Sequence, residues 1–144
     1  MDVFDFRERT GSGVDDETEA LATRAIGALI EVHKVLKPGL PEMVYRNALC
    51  YELELPGIPC VPEFPVPIHY KGRLVGQGKV DVLVAGRLVL ELKAVETLTE
   101  VHRCQVLTYL QALDLQLGLL VNFNVLQLRS GLKRVINTYK NLRA

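Results

Sequence analysis

The segment "KVDVLVAGRLVLELKAV" (79–95) constrains the fold most, because its apolar residues alternate on both sides of one short turn. Successive side chains of a strand point to opposite faces, so the second half places leucines on one face and Glu91 and Lys93 on the other. If the turn is the three residues "AGR", Asp81 lies directly opposite Glu91. A two-residue turn would oppose Asp81 to a leucine, so the register decides whether the two carboxylates are neighbours. We expect the leucine face to be buried, whereas the charges of Glu91 and Lys93 on the other face form either an ion pair or part of a site.

The segments around this hairpin predict the rest of the sheet. The proline-rich stretch before Lys71 is a first strand, and prolines that cannot donate to a ladder assign it to the sheet edge. Thr99 can cap a helix over residues 100–113, and the apolar run at 117–121 predicts a buried strand after it. A strand, helix, strand order favours parallel pairing. The tail around residues 132–136 is compatible with a last strand or a short helix.

Two helices are predicted before the sheet. Asp16 and Glu19 resemble a capping box, and apolar residues then repeat at helical spacing through one long helix. His33 lies on that apolar stripe, where a hydrogen-bonded core histidine is a simpler interpretation than a ligand. A second helix begins at Pro41 and carries Glu42 in its first turn.

Composition narrows the functional classes. Half of the 144 residues are hydrophobic, which is enough for a single domain with one core. We expect this domain to cover residues 15–144 and to follow a flexible arm, residues 1–14. Lys plus Arg and Asp plus Glu are equal at 17 each, so any site for a polyanion must be a local patch. Scattered cysteines and the lack of a signal-like or membrane-length apolar run predict a soluble, cytoplasmic protein.

The opposed carboxylates predict a metal site. Two carboxylates with Cβ atoms about 5 Å apart repel each other unless a positive charge lies between them. Mg²⁺ takes one or two protein carboxylates together with waters and phosphate oxygens, a demand that Asp81, Glu91 and the Leu92 carbonyl fit, with Mn²⁺ as a substitute. Lys93 would activate water or stabilise charge on a phosphate. This is the chemistry of phosphodiester hydrolysis.

Each of these residues also has an ordinary structural interpretation. A string of an acidic residue, any residue and Lys occurs about once by chance in a chain of this composition, and a solvated ion pair on a strand would explain it. Glu42 would complement the dipole of its helix. Gln105 and Tyr109 share a helix face with His102, which is either an ordinary polar face or the rim of a site.

Five segments together resemble the bacterial GxxExxY proteins, which are similar to the RecB-like branch of the PD-(D/E)XK nuclease superfamily. They are "KPGLPEMVYRNAL", "KVDVLV", "LVLELKAV", "LTEVHRCQVLTYL" and "GLLVNFNV", and the resemblance covers about residues 18–137. The naming motif is Gly39, Glu42 and Tyr45. One departure is Pro41, directly before Glu42, which bears on how Glu42 points.

The resemblance implies a restriction-endonuclease-like α-β-β-β-α-β core, an α/β fold with a mixed central sheet flanked by helices. It implies metal ligation by Glu42, Asp81 and Glu91, an active-site lysine at Lys93, and support from Tyr45, Gln105 and Tyr109.

The chain is therefore predicted to be a Mg²⁺-dependent nuclease that acts on DNA or RNA, with weak affinity unless a partner helps. One alternative is a nuclease-fold module that binds nucleic acid or protein with little or no cleavage. Another is a structural dimer built through the proline-rich edge strand or the first helix.

Overall fold

The computed structural model describes residues 13–138, which form one mixed sheet flanked by helices. The α-helices and β-strands in chain order are α1 (Asp16–Leu36), α2 (Glu42–Glu54), β1 (Cys60–Tyr70), β2 (Arg73–Val84), β3 (Leu88–Lys93), α3 (Glu100–Leu113), β4 (Leu117–Asn122) and β5 (Leu132–Ile136). The strands lie in the order β1-β2-β3-β4-β5, and all neighbours are antiparallel except β3 and β4. The predicted mixed α/β architecture, the parallel β3–β4 pair and the edge position of β1 are confirmed, and the tail forms a strand.

The turn between β2 and β3 has the three residues 85–87, as the favoured register requires. Its first two residues, Ala85 and Gly86, have positive φ angles of 52° and 65°. Backbone pairing runs from Val84–Leu88 to Val82–Leu90 and stops there. Asp81 and Glu91 are therefore the next opposed positions, directly beyond the last pair of the ladder.

Both faces of β3 are buried, whereas only the leucine face was expected to be. Leu88, Leu90 and Leu92 pack into a core formed with α1 and α2. Val89, on the opposite face, belongs to a second core formed with α3. Glu91 shares this second face and is 2% exposed, so a solvated strand face does not explain it.

The start of α1 differs from the predicted capping box. Its N-cap is Asp15, whose carboxylate accepts a hydrogen bond from the Thr18 N–H at 2.7 Å. Glu19, predicted to pair with Asp16, instead accepts two hydrogen bonds from the guanidinium of Arg134 on β5, at 3.0 and 2.8 Å. The capping box was wrong because a buried arginine, remote in sequence, takes the Glu19 carboxylate.

His33 is a core histidine, as predicted. It is 7% exposed, and its Nε2 lies 2.8 Å from the carbonyl oxygen of Val125. Its ring also lies beside Phe123, with 6.2 Å between ring centroids. A buried polar ring with a hydrogen-bond partner needs no ligand to explain it.

Two further predictions concern the N-terminal arm and membrane-spanning helices. Most of the predicted arm, residues 1–12, lies outside the described residues, and Val14 is 4% exposed within the core. Among residues 13–138, no helix combines the length and apolar character needed to cross a membrane.

The buried pair of Glu19 and Arg134 joins the first helix to the last strand, and we expect Arg134→Ala to destabilise the protein strongly. The Arg134 side chain is 2% exposed and that of Glu19 is 11% exposed. Removing one partner leaves a charge buried without its counterion, which costs about 3–5 kcal/mol. Urea unfolding measures this loss.

The matched control is Arg103→Ala, which removes an exposed ion pair with Glu100. Such pairs contribute about 0–1 kcal/mol. Equal losses of unfolding free energy in the two variants would contradict the role assigned to Arg134.

Candidate active site

Asp81 and Glu91 each bind the backbone of the other's strand. Glu91 Oε1 accepts a hydrogen bond from the Asp81 N–H at 3.0 Å, and Asp81 Oδ2 accepts one from the Leu92 N–H at 2.8 Å. The carboxylates thus take backbone donors that a continued ladder would give to carbonyl groups. The second oxygen of each carboxylate is left for a shared proton or a cation.

The site lies where β2 changes the core into which it packs. Val82 belongs to the core under α1 and α2, whereas Val80, two residues earlier, belongs to the core under α3. Glu63 of the neighbouring β1 strand, which falls between two paired positions, has a φ of 52° at this level. Asp81 occupies the bend, and β2 continues beyond it without β3.

Burial raises the pKa of Glu91 from its ordinary value of 4.5 to about 8. Loss of hydration is the largest cause, and repulsion by the Asp81 carboxylate is the next. The Lys93 ammonium and the hydrogen bond from the Asp81 backbone act in the opposite direction. Without a cation, the pair therefore holds a proton at neutral pH.

The donor chemistry of this pair fits a hard divalent cation. Two carboxylate oxygens can satisfy the protein's share of a Mg²⁺ shell, because this ion keeps several waters. Among residues 13–138, however, no group of three or more His, Cys, Asp and Glu side chains is close enough to hold a metal. Glu42 is exposed in the first turn of α2, and the structure does not gather it into such a group with Asp81 and Glu91.

Lys93 closes β3 and points to α3. Its Nζ donates a hydrogen bond to Gln105 Oε1 at 3.1 Å, and both residues are half-buried. The described residues contain no Glu91–Lys93 ion pair, which was the ordinary interpretation of these two charges: the lysine lies against a neutral amide instead. A lysine ammonium has three donors, and this contact uses one of them.

Tyr109 lies one turn after Gln105 and packs on the β1–β2 hairpin. A Cβ atom added at Gly78 would lie 2.7 Å from Tyr109 Cε1 and 2.9 Å from its hydroxyl oxygen. Only glycine allows this close approach without a shift of the ring. Gly78 was not identified from the sequence, although an isolated glycine within a strand signals close approach.

His102 does not join the rim, since its Nδ1 accepts a hydrogen bond from the Thr99 N–H and completes a capping box.

Asn122, at the end of β4, was also missed. It is 2% exposed, its Nδ2 donates to the Val95 carbonyl at 2.8 Å, and its Oδ1 accepts from the Val95 N–H at 3.1 Å. Because Asn122 pairs with Lys93 in the parallel register, these bonds fix the chain directly after the lysine. The available signal was a single amide closing an otherwise apolar strand.

Tyr45 is buried and positions the loop before α2. Its hydroxyl donates to the Lys37 carbonyl at 2.6 Å and accepts from the Leu40 N–H at 3.1 Å, and its ring stacks on Phe123 with centroids 4.3 Å apart. Gly39 lies within this loop and has a φ of 111°, a conformation that L side chains rarely adopt. The glycine and tyrosine of the motif therefore shape the loop that leads to Glu42.

The helix that carries Glu42, α2, begins differently from the prediction. Pro41 is the N-cap of α2, with φ −64° and ψ 151°, and makes no side-chain cap. The first helical residue is Glu42, so the proline precedes the helix rather than occupying its first turn.

A mixed sheet whose central hairpin carries an acidic pair and a following lysine defines a protein of the PD-(D/E)XK nuclease type. The sequence model of the PD-(D/E)XK nuclease superfamily matches residues 19–135, and the chain belongs to that superfamily. No curated protein and no solved structure matches the chain.

The raised pKa of Glu91 predicts how stability depends on pH in metal-free protein. Because the unfolded value is 4.5 and the folded value is about 8, the stabilising contribution is full below pH 4.5 and is lost as the pH rises toward 8. Glu91→Gln keeps the shape and stays neutral, so its stability advantage over the wild type should grow by at least about 1 kcal/mol between pH 5 and 8.5. Thermal unfolding in EDTA measures this as a widening gap of roughly 3 °C or more.

Glu31→Gln, an exposed change on α1, is the control, and its difference from the wild type should stay constant over that range. A Glu91→Gln advantage that is constant or shrinks as the pH rises would contradict the assignment.

Proposed function

We propose that the protein is a Mg²⁺-dependent nuclease that hydrolyses phosphodiester bonds of nucleic acid. Within the superfamily, we place it among the GxxExxY proteins of the RecB-like branch, on the pattern of Gly39, Glu42 and Tyr45 and of Gln105 and Tyr109. The observation that carries the proposal is that each carboxylate accepts a backbone hydrogen bond from the opposite strand: Glu91 from the Asp81 N–H at 3.0 Å, and Asp81 from the Leu92 N–H at 2.8 Å. Lys93 lies two residues after Glu91 on the same face of β3.

In this proposal Asp81 and Glu91 hold the metal, with the Leu92 carbonyl as a further oxygen donor. A bound Mg²⁺ or Mn²⁺ would supply the positive charge that phosphate oxygens and an attacking water require. Glu42 is assigned as an accessory ligand. This assignment rests on the place of Glu42 in the motif and at the N-terminus of α2. It therefore depends on the resemblance more than the other assignments do.

Lys93 is proposed to act on the phosphate or the water. Gln105 accepts one of its three N–H bonds and so orients the ammonium, while two donors remain for the substrate. An ammonium placed beforehand at the point where negative charge develops stabilises the transition state more than the ground state. Asn122, which fixes the backbone after Lys93, is a positioning residue.

Tyr109, Gln105 and Tyr45 are proposed as support. Tyr109 holds α3 against the β1–β2 hairpin at Gly78, and Gln105 touches the catalytic lysine. Tyr45 acts through the loop that precedes Glu42. A protein partner or a second copy at the edge strand β1 remains a prediction.

We expect Lys93→Ala and Asp81→Asn each to lower cleavage at least about 100-fold, which is the usual effect of losing one transition-state contact. The assay compares single- and double-stranded DNA and RNA with Mg²⁺ or Mn²⁺. Lys133→Ala is the matched control, because it is an exposed lysine on strand β5 of the same sheet and should keep full activity.

Undiminished cleavage in both site variants would overturn the mechanism. Wild-type protein that binds metal and nucleic acid but cleaves none of the four substrates would instead support the binding module.

A further inference from the structure

The β1–β2 hairpin extends well beyond the sheet as a two-stranded ribbon, residues 64–80. Strand β2 pairs with β3 only from Val82 to Val84, whereas it pairs with β1 as far as Arg73. Eight residues separate Arg73 from Asp81, a distance of about 26 Å at 3.3 Å per residue. The ribbon therefore projects from the proposed active site itself.

The ribbon is a basic segment in a chain of balanced charge. Residues 64–80 contain Lys71, Arg73 and Lys79 and no Asp or Glu. Subtracting these three from the 17 basic residues leaves 14 against 17 acidic ones in the rest of the chain. Lys79 lies 3.7 Å from Glu63 at the base, but Lys71 and Arg73 form no ion pair with any described residue. The uncompensated charge thus lies at the tip.

The tip also exposes large apolar side chains. Tyr70, Leu74 and Val75 are 63%, 62% and 58% exposed, and Lys71 Nζ lies 5.4 Å from the centre of the Tyr70 ring. Exposed apolar residues gathered beside cations mark a contact surface. Because these charges are positive and unpaired, the complementary partner is an anion that also offers a flat or apolar surface. Nucleic acid has both properties.

The shape of the ribbon favours B-form DNA over A-form RNA. Its turn is the two residues Lys71 and Gly72, both with positive φ, at 50° and 82°, which is a compact hairpin turn. Gly76 lies in β2 and carries no side chain, so the ribbon is slim at that position. A two-stranded ribbon fits the major groove of B-form DNA, about 12 Å wide, whereas the major groove of A-form RNA is deep and narrow.

The ribbon is also coupled to the active site. Gly78 packs against Tyr109 of α3, and the same helix carries Gln105, which binds Lys93. A ribbon of about 26 Å spans about eight base pairs at 3.4 Å each.

We propose that the ribbon 64–80 docks in the major groove of double-stranded DNA, with Lys71 and Arg73 on its phosphates, and so presents duplex DNA to the active site. This inference rests on the proposed nuclease function and names its substrate as duplex DNA.

The test is fluorescence anisotropy of a labelled DNA duplex of about 25 base pairs, with wild-type protein in EDTA so that no cleavage occurs. We expect Lys71→Ala/Arg73→Ala to weaken binding at least about 10-fold and to lower the slope of log K against log salt by about 2. The control is Arg24→Ala/Lys133→Ala, which removes one exposed arginine and one exposed lysine elsewhere and should change neither quantity.

Three results would overturn the ribbon proposal. One is an equal loss in the control variant or no loss in the ribbon variant. Another is the same ribbon-dependent affinity for an RNA duplex or for single strands, since neither offers the wide major groove. The third is a dimer in analytical ultracentrifugation that the ribbon variant abolishes, which would make the tip an interface between copies.

The two proposals can fail separately. Binding is measured without metal, so it does not depend on cleavage. DNA binding that does not depend on the ribbon, with Asp81-dependent cleavage intact, would overturn the ribbon proposal alone. Ribbon-dependent binding without any cleavage would overturn the nuclease function alone.

Discussion

The structure around the site depends on the exchange of backbone hydrogen bonds across the β2–β3 pair by the carboxylates of Asp81 and Glu91. Each carboxylate takes a backbone N–H of the opposite strand, so the β2–β3 ladder ends while the two strands stay together. Beyond this point β2 is free to follow β1 as a ribbon. The same two residues thus end the ladder and bring two carboxyl groups together.

Burial under α3 gives this exchange its chemical consequence. Two unit charges about 4 Å apart repel by about 4 kcal/mol at the effective dielectric of a partly buried site, against about 1 kcal/mol in water. A proton on Glu91 removes this cost, and so does a cation shared with Asp81. The neighbouring lysine does not remove it, because Lys93 lies against Gln105. A neutral amide partner keeps the ammonium in place and leaves its charge uncompensated for a substrate.

The features that the sequence predicted well are those that local patterns determine. Turn length and alternation gave the register that opposes Asp81 to Glu91, and Thr99 did cap the third helix. The failures involve partners distant in the chain: Glu19 binds Arg134 across 115 positions, and Asn122 binds Val95 across 27. Burial of Glu91 was also missed, because alternation identifies two faces but does not reveal that α3 covers the second.

A metal titration tests most directly whether Asp81 and Glu91 share a cation. Calorimetric titration of Mn²⁺ into the protein above pH 8, where Glu91 is ionised, should show saturable binding. We expect Asp81→Asn and Glu91→Gln each to weaken it at least about 10-fold, and the exposed Glu31→Gln to leave it unchanged. Binding of equal strength in all four proteins, or no binding in the wild type, would contradict a shared metal site.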